Sequence, residues 1–111
     1  MKIDIKEIKE GFWDIQLSGK FNIEQIQKFE ELVTPLISKK TEVVFINLSQ
    51  TNYIDSSGIG ILIKMMNLSK SVPLDLVLYD PSDTIRNILN LAHLDSFFTI
   101  KTSADVQGYL G

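Results

Sequence analysis

A short apolar run, Val43-Val44-Phe45-Ile46, leads into the polar stretch that opens with Asn47-Leu48-Ser49. After Asp55-Ser56-Ser57-Gly58 a second apolar run begins, with Ile59, Leu62, Ile63 and Met66 at helical spacing. The pattern predicts a buried strand, a polar loop and then a helix, with two serines at the helix entrance. The N–H groups of a helix's first turn have no intrahelical partners, and the macrodipole makes that end positive. A serine hydroxyl at Ser56 can cap the helix, which makes Ser57 the first helical residue; a phosphate there is equally well received. Asp-Ser-Ser-Gly alone leaves both roles open, because these are the ordinary residues of a turn that starts a helix.

The rest of the chain supplies the layers around this unit. Ile3, Ile5 and Ile8 predict a first strand, and Phe12, Trp13, Ile15 and Leu17 a second that ends at Ser18-Gly19. Lys9-Glu10-Gly11 joins them as a hairpin turn. Asn22 is placed to cap a first helix, with Gln25 at the reciprocal capping-box position. Ile26, Phe29, Val33, Leu36 and Ile37 share one face of that helix, and Pro35 predicts a kink or a restarted final turn. The second helix is expected to run to Lys70. Leu74 to Leu78 reads as another buried strand, and Ser82 caps a third helix through Ile85, Ile88 and Leu89. A last strand over Phe97–Ile100 precedes a small helix opened by the Thr102–Asp105 capping box. Strands alternating with helices after a hairpin predict an α/β domain: one mixed sheet of about five strands with about four helices packed on it.

The 111 residues suit a single domain over 1–111, and an apolar content of 44% fills one core without staples. With no cysteine, disulfides and thiolate metal sites are excluded. The first seven residues alternate charged and apolar side chains and do not read as a signal peptide. The run from Gly58 to Ile63 stops at Lys64, far short of a membrane span. The expectation is a cytoplasmic protein with no membrane insertion. A net charge of −3 with scattered lysines gives no basic stripe for nucleic acid. Two glycosylation sequons, at Asn47 and Asn67, have no use without secretion.

Catalytic patterns are missing. The lone His93, at a helix end, suits the helix dipole better than acid–base or metal work. A serine-hydrolase elbow needs glycine two residues before the serine, where Ile54 stands. Gly58-Ile59-Gly60 lacks the third glycine of a dinucleotide loop, since Ile63 occupies its place. The one Gly-Lys pair, Gly19-Lys20, has Asp14 in place of the upstream glycine and Phe21 in place of the Ser/Thr of a phosphate-binding loop, and the aspartates are too dispersed for a metal cluster. Neither catalysis nor a cofactor is expected.

Two features carry open alternatives. Gly58 and Gly60 either let the helix start lie close to the sheet or leave the Ser56 surface open to a partner's backbone. Ile59, Leu62, Ile63 and Met66 make one face of the helix; Ile61, Met65 and Leu68 make another. That second face is either buried against neighbouring helices or partly exposed as a docking patch beside Ser56.

The segments Val43–Ser49 and Tyr53–Leu62 together resemble the signature of STAS domains, most of all the bacterial anti-sigma factor antagonists, and the predicted element order extends the resemblance over nearly the whole chain. The resemblance implies the STAS fold. It places the phosphorylated serine directly after Asp55, at Ser56. It implies a non-enzymatic module that, when unphosphorylated, binds an anti-sigma factor that is also a serine kinase, and so releases a sigma factor. A PP2C-type phosphatase restores the serine, and nucleotide and Mg²⁺ belong to the kinase. The partner surface is then expected at Asp55, Ser56, Ser57, Gly58, Gly60, Ile61 and Met65, with Lys20 and Asn22 from the loop before the first helix. That loop departs from the family's usual Gly-Glu-Leu-Asp: here it is Gly19-Lys20-Phe21-Asn22, with one charge reversed, which bears on partner identity. The alternative is a STAS subunit of a transporter or signalling assembly in which Ser56 is never phosphorylated.

Overall fold

A computed structural model describes residues 2–111. Strands β1 (Lys2–Lys9) and β2 (Phe12–Phe21) form an antiparallel hairpin whose turn uses Gly11 at φ +83°. Helix α1 (Ile23–Val33) follows, and its end passes into a 3₁₀ turn over Thr34–Leu36 with Pro35 in its first positions. Pro35 therefore restarts a final turn, where its missing donor is not needed. Then come β3 (Val43–Asn47), β4 (Thr51–Ile54), α2 (Ser56–Ser69), β5 (Asp75–Tyr79), α3 (Asp83–Leu91), β6 (Thr99–Lys101) and α4 (Ser103–Leu110). The sheet order is β1-β2-β3-β5-β6, antiparallel only at the hairpin, and β4 pairs with the tail of β2. This is the mixed sheet with four helices that the sequence predicts, with one strand more.

That extra strand corrects two expectations. The stretch before Ser56 is not all loop, and β2 does not end at Ser18-Gly19. Its last residues run on, with Gly19 opposite Thr51, Lys20 opposite Tyr53 and Phe21 opposite Ile54, across a bulge. Burial drives the pairing. Ile54 is buried, and the buried Thr51 hydroxyl donates to the Leu17 carbonyl at 2.7 Å. The last strand also sits slightly later than expected, over Thr99–Lys101, which leaves Phe98 in the core.

Side chains alternate across the sheet, so its central strands are buried on both faces. On one face Ile15, Leu17, Val44, Ile46, Leu76 and Leu78 pack under α1, α2 and α3, with Phe29, Val33, Leu62 and Leu89 among the contacts. On the other, Phe12, Val43, Phe45, Val77 and Tyr79 are covered by Val106 of α4. The expected capping box is present at α4: the Thr102 hydroxyl accepts from Asp105 N, and Asp105 accepts from Thr102 N.

The α4-covered face carries one half-buried ion. The Tyr79 hydroxyl donates to Asp14 Oδ1 at 2.8 Å. Burial pushes the Asp14 carboxyl above its ordinary value, against the lowering effects of the Tyr79 hydrogen bond and of Lys6. A carboxyl raised in the folded state favours folding while protonated, and that advantage is lost as pH rises through its folded value. Asp14→Asn keeps an acceptor for Tyr79 and removes the buried charge. Its melting midpoint is expected to equal or exceed wild type at pH 7, with the difference shrinking as pH falls to 4. A midpoint below wild type at pH 7 that recovers in acid contradicts this sign.

Candidate functional site

The site is built where β2 and β4 hand over to α1 and α2. Asp55, not Ser56, is the N-cap of α2. Its Oδ1 accepts from Gly58 N at 2.9 Å and its Oδ2 from Ile23 N at 3.3 Å, while its own N–H donates to the Phe21 carbonyl. One carboxylate thus ties the first turns of both helices together. Aspartate wins the cap because its two acceptor oxygens serve two helices, where a hydroxyl serves one. This corrects the register of the entrance. Ser56 is the first helical residue and Ser57 the second, so the cap does not occupy the Ser56 hydroxyl. Ser56 is exposed and Ser57 half-buried. Of the four N–H groups that a helix start leaves unpaired, Asp55 and Gly58 have partners. Those of Ser56 and Ser57 are left to solvent or to a bound anion, at the positive end of the dipole.

The two glycines divide the roles left open by the sequence. A Cβ at Gly58 would lie 2.6 Å from the Phe21 carbonyl oxygen and 2.7 Å from Ile54 Cγ1. Gly58 is therefore a close-approach residue, needed for α2 to start against β2 and β4. A Cβ at Gly60 would meet nothing within 4 Å, and the residue is exposed. Gly60 contributes openness, not packing.

Asn22 caps α1 as expected, accepting from Glu24 N at 3.1 Å, but the reciprocal box is not formed as expected: Gln25 N donates to the Asn22 carbonyl. Lys20 is exposed on the β2 tail, opposite the half-exposed Tyr53 of β4. Ile61 and Met65 do not belong to the surface. They are 5% and 0% exposed, in a core stripe of α2 made by Gly58, Ile61, Leu62, Met65, Met66 and Ser69. The expected docking patch on that face is thereby replaced by burial. The apolar residues of 59–68 are too numerous for periodicity to choose a face, and the close approach at Gly58 fixes which one meets the sheet.

Two exposed apolar residues that the sequence pattern does not single out lie close to the Asp55–Ser56 turn. Ile23 is 70% exposed at the start of α1, its N–H on the Asp55 carboxylate, and Tyr53 is 45% exposed on β4. Ile23 had a signal: an isoleucine directly after a cap, outside the stripe that buries Phe29 and Val33. Among the described residues, no helix is long and apolar enough to cross a membrane, and no cluster of His, Cys, Asp or Glu could hold a metal ion.

The family model for the STAS domain matches residues 5–107. An anti-sigma-B factor antagonist of Staphylococcus aureus is 20% identical over 99 residues, 89% of this chain and 92% of that protein. Among solved structures, the anti-sigma factor antagonist SpoIIAA in its unphosphorylated form superposes with a TM-score of 0.83 at 17% identity, covering 98% of this chain and 96% of that one. The phosphorylated form of the Bacillus cell fate determinant SpoIIAA gives a TM-score of 0.78 at 17% identity, covering 99% and 100%. With the family model spanning the strand-loop-helix unit, the hairpin and most of α4, the chain belongs to the STAS domain family.

Proposed function

We propose that this STAS domain is an anti-sigma factor antagonist switched by phosphorylation of Ser56. The observation that carries the reading is the division of labour at the helix entrance. Asp55 performs the capping, and the adjacent Ser56 hydroxyl stands exposed at the positive end of α2. The names of the relatives, and the existence of SpoIIAA in two phosphorylation states, support the same reading.

In this scheme the protein is not an enzyme and acts in the cytoplasm. Unphosphorylated, it binds an anti-sigma factor that is also a serine kinase, and a sigma factor is released. In the complex the Ser56 Oγ attacks the γ-phosphorus of the kinase's ATP. The Oγ–P bond forms, the bond to ADP breaks, and the hydroxyl proton leaves to the kinase or solvent. A PP2C-type phosphatase hydrolyses the phosphoserine. The partner surface comprises Asp55, Ser56, Ser57, Gly60, Lys20 and Asn22, with Ile23 and Tyr53 as its apolar part. Phosphorylation adds about −1.5 to −2 charge at neutral pH. Inside an interface that charge loses solvation, whereas on the free domain it meets the open N–H groups of the first turn. The phosphate thus penalises the complex more than the fold.

The acceptor is testable directly. Incubation with ATP and the anti-sigma factor kinase of the same genome, followed by tandem mass spectrometry, is expected to place phosphate on Ser56 and not on the half-buried Ser57. Phosphate mainly on Ser57, or on neither, removes the assignment.

A further inference from the structure

We propose that the free edge of β1 pairs with β1 of a second copy of this chain, antiparallel about a two-fold axis through Ile5, so that the two sheets run on as one. The proposal goes beyond the switch at Ser56 and does not depend on it. None of the residues assigned above to the partner surface lies on β1.

The edges of this sheet are unequal. β1 is its terminal strand, 8 residues long, and pairs only with β2. β6 at the other end has 3 residues, and so short an edge is a poor template for another strand. β4 lies against α3, where the Ser82 hydroxyl donates to the Thr51 carbonyl at 2.7 Å. A terminal strand presents a row of N–H and C=O groups with no partner in its own sheet. The register of β1 on β2 is regular from Lys2, opposite Ser18, to Glu7, opposite Trp13, and shifts before Lys9. Residues 2–7 are therefore the regular template that this edge offers.

Charge chooses the occupant and the register. Lys2, Asp4 and Lys6 are exposed on one face, and Ile3 and Ile5 are half-buried on the other. Charged side chains commonly guard a sheet edge against pairing. Here their sign alternates, so they guard against every long register but one. A two-fold axis normal to the sheet keeps the helix layers of both copies on one side. It must pass through a residue, since a register one residue off turns the side chains over. Centred on Asp4, the pairing sets Asp4 against Asp4 and Lys2 against Lys6. Centred on Lys6, it sets Lys6 against Lys6. Centred on Ile3, it spans only residues 2–4. Centred on Ile5, it sets Asp4 opposite Lys6 of the second copy at both symmetry-related points, with Ile5 against Ile5. Opposite charges and paired β-branched side chains favour cross-strand contact, and like charges oppose it. The occupant that matches is this same strand. The interface is far smaller than the roughly 20–30 residues a side of a standard complex, so the dimer is expected at high protein concentration.

The test is sedimentation velocity of the whole chain from roughly 10 μM to 1 mM, where the average mass is expected to rise toward that of two chains. Lys6 lies opposite Asp14, so the charge variants are made in the Asp14→Asn background, which leaves no half-buried carboxylate to repel a new aspartate. Asp4→Lys and Lys6→Asp are each expected to weaken self-association about tenfold, because each sets like charges opposite one another at both points. The double variant Asp4→Lys/Lys6→Asp reverses both partners and is expected to restore the parent's affinity. Both positions are exposed, and melting curves report that the variants fold. A second measurement leaves the charges alone. In a chain with no cysteine, Ile5→Cys is expected to form an interchain disulfide on mild oxidation, since directly opposed Cα atoms stand about 4.5–5.5 Å apart, within disulfide reach. Ile3→Cys is not, since position 3 of the two copies stands roughly 14 Å apart in this register. A chain that stays monomeric throughout overturns the proposal. So does self-association that the single charge variants leave unchanged, that the double variant fails to restore, or that cross-links Ile3→Cys as readily as Ile5→Cys. Tighter association of Lys6→Asp would centre the register on Asp4, and also overturns it.

Discussion

Gly58→Ala is expected to destabilise the domain by about 3 kcal/mol, the upper end of what overpacking costs. The added Cβ would press on a main-chain carbonyl, Phe21 O at 2.6 Å, and on Ile54 Cγ1 at 2.7 Å. Neither can yield easily. Phe21 and Ile54 are both buried and paired across β2 and β4, and Asp55 N–H is bonded to that same carbonyl. Relief requires α2 to lift from the strands, which loosens the Asp55 cap as well. For a domain of this size the melting midpoint should fall by roughly 12–24 °C. Gly60→Ala, two residues along, is the control. It is expected to stabilise by up to about 1 kcal/mol through helix propensity alone. Equal effects of the two substitutions would contradict the division between close approach and openness.

The second large effect concerns binding. Ser56→Ala is expected to hold the kinase with affinity close to wild type while accepting no phosphate, and so to act as a constitutive antagonist. Ser56→Asp introduces a charge at the same point, smaller than that of a phosphate, and should weaken the complex by several-fold. The ordering wild type ≈ Ala > Asp > phosphoserine follows from an exposed hydroxyl that does not cap its helix. If Ser56 were the N-cap, Ala would itself cost about 1 kcal/mol of stability. Equal affinity across Ala, Asp and wild type would place the serine outside the interface.

Much of this molecule was legible in its sequence, and the parts that were not share a physical cause. Strongly periodic elements came through: the β1–β2 hairpin around Gly11, the buried β3 and β5, and the caps at Asn22, Ser82 and Thr102. β4 did not, because Thr51–Ile54 is only four residues long and is made by pairing with a bulged strand tail some thirty residues earlier. The helix entrance was located but misread by one residue. Asp and Ser are both good caps, and only the approach of Ile23 N–H shows why the carboxylate is preferred. The face of α2 was undecidable for the opposite reason. Ile59, Ile61, Leu62, Ile63, Met65, Met66 and Leu68 offer apolar residues on almost every side. The contact at Gly58 turned Ile61 and Met65 inward. The exposure of Tyr53 depends on what the fold leaves uncovered, which no local pattern encodes, whereas Ile23 stands outside the α1 stripe already in the sequence.

The central claim is that the phosphate blocks docking without remodelling the domain. The most direct measurement compares phosphorylated and unphosphorylated protein in two readouts: affinity for the anti-sigma factor kinase and melting midpoint. The dipole and the open N–H groups of Ser56 and Ser57 favour the phosphate by up to ~2 kcal/mol, and the adjacent Asp55 carboxylate opposes it. These contributions largely offset, so the two forms should melt within a few degrees of each other. Affinity should meanwhile fall at least tenfold, about 1.4 kcal/mol. A large melting shift, with amide exchange altered far from the Asp55–Gly58 turn, would show instead that the switch works by changing the fold.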